Sequence, residues 1–142
     1  MMTTASNPGV YMEPRRKEIL CLCYDSNMLR VRRLLLEHFG YAVSGTTSLE
    51  DAKGMVKDRC PDMLLMDNND AAADFERLAE HVKDFCPEVI TVMLSSFYYS
   101  CNSDAIDRVV SKDDGPNALL SQIEELLGDE EGQIKGSATR PI

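Results

Sequence analysis

The sequence predicts an α/β protein, a doubly wound five-stranded parallel sheet in one domain, and three observations carry that expectation. Met63-Leu64-Leu65-Met66 is an unbroken apolar run with no polar alternation, the pattern of a strand buried on both faces in the middle of a parallel sheet. Similar short runs alternate along the chain with segments whose apolar residues recur at helical spacing, and parallel neighbours need such crossovers, packed on both faces by the right-handed rule. At 142 residues and 44% hydrophobic content the chain can bury one sizeable core but not two.

Each element has its own signals. Residues 1–16, rich in Thr, Ser, Asn, Pro and Gly and without period, are expected to be a mobile tail, residues 17–128 the domain, and residues 129–142 a second tail. Glu18 to Cys23 reads as the first strand. Ser26 or Asn27 can cap the next helix, in which Met28, Val31, Leu35, Leu36 and Phe39 recur as an inward stripe and Gly40 supplies the stop. Tyr41 to Gly45 is a second strand. Ser48 then opens a helix with Leu49, Ala52, Met55 and Val56 inward.

Pro61 marks the entry to the central strand, which ends on Asp67. A polar loop follows, then a helix capped by Asp74 with Phe75, Leu78, Val82 and Phe85 on one face, ended by Cys86-Pro87. Val89 to Leu94 is a fourth strand that runs out at Ser95-Ser96. Phe97 to Asp107 has weak helical signal and reads as a loop with at most a turn or two of helix. Val109-Val110 is a short fifth strand before Ser111-Lys112, and the last helix buries Leu119, Leu120, Ile123, Leu126 and Leu127 and stops at Gly128.

The formal net charge of -9 argues against nucleic acid or anionic membrane as partner, since both are bound through clustered Lys and Arg. No apolar run approaches a membrane span, and the first residues lack the order of an export signal, so a cytoplasmic protein with reduced thiols is expected from its five cysteines. His38 and His81 read as exposed helix residues, which gives no sign of acid-base catalysis and no reason to expect an enzyme.

In parallel α/β sheets, ligands and chemistry sit outside the carboxyl ends of the strands. The strand ends here carry Asp67, Ser95 and Lys112, with Cys23, Tyr24 and Asp25 after the first strand. Singly, each has an ordinary reading: Asp67 a turn cap, Ser95 a small strand-end residue, Lys112 a solvated charge beside Asp113 and Asp114. As an ordered set, Pro61-Asp62 through Asp67, Val89 through Ser95-Ser96, and Ser111-Lys112 resemble the receiver domain of two-component response regulators, over roughly Glu18 to Gly128.

That resemblance implies a flavodoxin-like strand order 2-1-3-4-5. It implies Asp67 as phosphoacceptor, Ser95 as the hydroxyl that bonds a phosphoryl oxygen, Lys112 as its cation, and Mg²⁺ held by acids. Partners would be a histidine kinase or phosphotransfer protein upstream and a protein target downstream, with contacts rather than an output domain after Gly128 carrying the signal. The sequence also departs from the family pattern. A gapless reading puts Cys23 and Tyr24 where the family has two adjacent acids, leaving only Asp25 nearby to join Asp67 as a metal ligand, so Mg²⁺ binding is expected to be weak or absent and phosphorylation inefficient.

Ala71 and Phe75 replace the family's Pro and Gly, Val109 replaces its switching aromatic, and the short span to Lys112 implies a shortened or missing fourth helix. Two other functions stay open: a pseudo-receiver that binds partners without phosphorylation, and a thiol redox sensor in which Lys112 lowers the pKa of Cys23.

Overall fold

The computed structural model describes residues 16–67, 72–96, 101 and 103–128. Five parallel strands lie in the order β2-β1-β3-β4-β5: β1 Glu18–Cys23, β2 Ala42–Thr46, β3 Met63–Asp67, β4 Ile90–Ser95 and β5 Arg108–Ser111. Between and after them run α1 Ser26–His38, α2 Leu49–Asp58, α3 Ala72–Phe85 and α4 Gly115–Leu127, with a single 3-10 turn at Lys112–Asp114. The architecture is the expected flavodoxin-like sheet. Both expected tails fall almost wholly outside the described residues.

All five residues of β3 are buried, as its uninterrupted apolar run requires of a central strand. Alternate residues feed two cores. Leu20, Leu22, Leu64, Met66 and Met93 face α2 and α3 on one side, and Ile19, Cys21, Met63, Leu65, Val92 and Leu94 face α1 and α4 on the other. Asp62, one residue before β3, closes the opposite end of the sheet: its carboxylate accepts from the Glu18 amide at 2.7 Å, and its own amide donates to the Glu18 carbonyl at 2.9 Å.

Ser48 caps α2 by accepting from the Asp51 amide at 3.1 Å, as its sequence suggests. Other details differ. Asp25, rather than Ser26 or Asn27, caps α1, accepting from the amides of Asn27 and Met28 at 2.9 and 3.3 Å. Asp74 lies within the first turn of α3, paired with Arg77, and Phe85 is exposed, stacking edge-on with His81 beneath the Lys57 ammonium.

The largest difference concerns α1. Met28, Val31 and Phe39 are exposed, while Leu36 is buried and Leu29 packs against the core. Leu29 lies so close to β2 that a Cβ on Gly45 would sit 2.9 Å from its Cδ1, a close approach that only glycine permits without movement. The inward stripe is therefore Leu29, Arg32 and Leu36.

Among the described residues no helix separates β4 from β5. The connection is tied down instead by polar bonds. Asp107 accepts from the Thr91 amide at 2.8 Å and from the Lys83 ammonium at 2.8 Å, and its amide donates to the Thr91 carbonyl at 2.9 Å. The Thr91 hydroxyl donates to the Ala105 carbonyl, and Ile106 fills the core beneath.

The expectation of five reduced thiols is corrected: Cys60 and Cys86 form a disulfide with Cα atoms 5.8 Å apart. Their positions explain the pairing. Cys60 follows α2 and Cys86 follows α3, two helices side by side on one face of the sheet, both ending at its amino edge.

Candidate functional site

Strand register and burial assemble the site around Asp67. At the carboxyl end of β3, Asp67 pairs with Cys23 on β1 and Leu94 on β4, and it is only 2% exposed. Such a carboxylate is costly to leave uncompensated. Two cations meet it. The Lys112 ammonium, in the 3-10 turn directly after β5, lies 2.5 Å from Oδ1, and the Arg32 Nε–H on α1 donates to Oδ2 at 2.9 Å.

Arg32 was not legible as a site residue, and it helps to account for the rotated helix. Turning Met28 and Val31 outward forfeits about 1.5–3 kcal/mol for each side chain fully exposed, and both are only partly so. Stranding a buried charge costs about 3–5 kcal/mol. With Lys112 also meeting Asp67, the gain from Arg32 falls toward the lower part of that range and is comparable with the apolar burial given up.

Lys112 stands where the sequence places it, at the same edge as Asp67. Ser111 holds the turn there, its hydroxyl accepting from the Asp113 amide at 3.1 Å. Ser95, buried, follows Leu94 and pairs in register with Ser111, so it too lies on that edge. Asp25 is beside the site in sequence, but its carboxylate is engaged as the α1 cap. Among the described residues no group of three or more His, Cys, Asp or Glu is arranged to hold a metal ion.

Cys23 occupies the register position beside Asp67, its thiol 3.6 Å from Oδ2 and 3.4 Å from the Asp25 carbonyl, donating toward both. Burial and the adjacent Asp67 carboxylate push its pKa up, which corrects the expectation that Lys112 would lower it. Cys21, deeper in β1, is pushed up to about 12, chiefly by burial. Neither thiol has the anionic character of a redox sensor at neutral pH.

Tyr24 stacks edge-on against Phe75, ring centroids 5.2 Å apart, and Phe75 is fully buried. The place of a small family residue is thus filled by a ring that anchors the start of α3. Val109 is 38% exposed on β5 and carries no ring that could swing inward. Ala71 lies outside the described residues.

Comparison with solved structures matches this arrangement of strands and helices to a receiver domain from Methanospirillum hungatei JF-1. That match has a TM-score of 0.67 and 21% identity, over 86% of this chain and all of that one. The chain has the receiver fold. The signal receiver domain of an HD domain-containing protein from Pseudomonas fluorescens Pf-5 superposes with a TM-score of 0.69 at 18% identity, covering 90% of this chain and 98% of that one. The chemotaxis protein CheY4 of Vibrio cholerae does so with a TM-score of 0.65 at 15% identity, covering 80% of this chain and 100% of that one.

No protein-family model and no curated protein matches the sequence. Among the described residues, Asp67 is met by two cations and no helix lies between β4 and β5. No helix among the described residues is long and apolar enough to cross a membrane.

Proposed function

We propose that this chain is a cytoplasmic signalling module, not an enzyme, that accepts a phosphoryl group on Asp67 from a histidine kinase or phosphotransfer protein and acts by contact with a downstream protein. The observation that carries the reading is the Lys112 ammonium 2.5 Å from the Asp67 carboxylate at the carboxyl edge of the sheet. In the transfer, an Asp67 oxygen attacks phosphorus and forms the acyl phosphate, while the P–N bond of the donor phosphohistidine breaks and its electron pair stays on the imidazole. Lys112 follows the charge onto the phosphoryl oxygens, and Ser95 donates to one of them.

Intact-mass measurement after incubation with acetyl phosphate tests the proposal. One phosphoryl group on the wild type and none on Asp67→Asn is the expected result, and no gain on either defeats it. A phosphorylation-independent binding module is the second reading, favoured by the pairing of both Asp67 oxygens with resident cations, and that same absence of mass gain would support it.

A further inference from the structure

The charges around Asp67 do not suit a divalent cation. Mg²⁺ requires hard oxygen ligands in octahedral array. Here the register neighbour of Asp67 is the Cys23 thiol, the Asp25 carboxylate is engaged on two helix amides, and Arg32 is bonded to Oδ2 itself. A third cation entering there would face both Arg32 and Lys112 at short range.

We propose that Arg32 takes the place of the divalent cation at Asp67, so that phosphoryl acceptance at this site needs no metal. The inference rests on Asp67 being the acceptor. Its physical basis is charge and geometry. At Asp67 itself one carboxylate faces two cations, a local excess of positive charge that favours approach of a phosphoryl dianion. Of the five N–H donors of a guanidinium, Nε meets Oδ2, and among the described residues the terminal nitrogens make no hydrogen bond, which leaves them to meet phosphoryl oxygens in the planar fork suited to them.

With acetyl phosphate as donor, the Asp67 oxygen forms the new O–P bond. The bond from phosphorus to the acetyl oxygen breaks, and acetate leaves with the electron pair. Arg32 and Lys112 stabilise charge throughout and exchange no proton.

Two measurements on the full chain test this. In the first, amide resonances of Cys23, Arg32 and Asp67 are followed during titration with MgCl₂ to about 10 mM, well above the range of weak divalent sites, against KCl of equal ionic strength. The expected result is no saturable shift; a saturable shift centred on Asp67 overturns the proposal. In the second, mass gain from acetyl phosphate is timed with Mg²⁺ and with EDTA. Wild-type rates within about twofold of each other support the proposal, and a drop of tenfold or more in EDTA overturns it.

Arg32→Gln should slow the EDTA reaction on the order of 100-fold, the usual cost of one lost charge-stabilising donor, and Arg32→Lys should recover part of that loss. Arg32→Gln reacting at the wild-type rate overturns the role of Arg32. If the wild type gains no mass under any condition, the acceptor reading fails while the Mg²⁺ titration still decides whether Arg32 excludes the metal.

Discussion

The Arg32 Nε–H donates to Asp67 Oδ2 at 2.9 Å across thirty-five positions of sequence, joining the first helix to the end of the central strand. Asp67 is 2% exposed and the Arg32 side chain 14%, so the contact is largely shielded from water. Arg32→Gln should lower stability in urea denaturation by about 2–4 kcal/mol, the lower part of that range reflecting the remaining cation at Lys112. An unchanged midpoint would show that α1 is not oriented by this pair.

Asp107 supplies a pH signature. Burial alone would raise its pKa, but the bonds donated by Lys83 and by Thr91 together hold it below the ordinary value. A carboxylate with a depressed folded pKa contributes stability above its unfolded pKa and loses that contribution as pH falls through the folded one. The wild type should therefore weaken from about pH 5 downward. Asp107→Asn should show a shallower acid slope in thermal denaturation, and identical slopes would dismiss the clasp as a contributor.

The Cys60–Cys86 bond closes a loop of 26 residues. Its reduction should cost about 3.5 kcal/mol by the loop-entropy relation, seen as a fall in Tm on the order of 10 °C with dithiothreitol. Cys60→Ser should start from the lower Tm and be indifferent to the reductant. Equal melting of oxidised and reduced wild type would remove the bond from the account of stability.

Among the free cysteines, Cys101 is exposed, whereas Cys21 and Cys23 are buried and their pKa values are raised. At neutral pH a maleimide should modify Cys101 first, with Cys23 reacting appreciably only in alkaline solution or after unfolding. Rapid labelling of Cys23 at pH 7, mapped by peptide mass, would reopen the redox reading.

Most of the architecture was legible because each strand-helix unit announces itself locally. The apolar run of β3, the serine cap of α2 and the stop at Gly40 all express preferences of neighbouring residues. The same holds for Lys112, whose place follows once β5 is found. What escaped was set at long range. The stripe Met28, Val31, Leu35, Leu36 and Phe39 has better hydrophobic spacing than Leu29, Arg32 and Leu36, and the face that turns inward is the one that meets a buried charge on another strand and the gap left by Gly45.

A clue was nonetheless present: a buried strand-end aspartate lacking acidic neighbours, facing a helix with Arg30, Arg32 and Arg33, invites a guanidinium partner. The Cys60–Cys86 bond was hidden for a related reason, since no short spacing marks it. Its signal lies in topology, in two helices that finish side by side.

The strand order leaves β5 as the sheet's outer margin, with no helix among the described residues between it and β4, and an open margin is where a foreign chain can add itself by backbone pairing. This margin offers little purchase. It is four residues long, and its first residue, Arg108, is drawn toward Gln122 and Glu125 of the last helix. A strand that short, with a charge at its head, presents few free backbone groups for a copy of the chain to pair with.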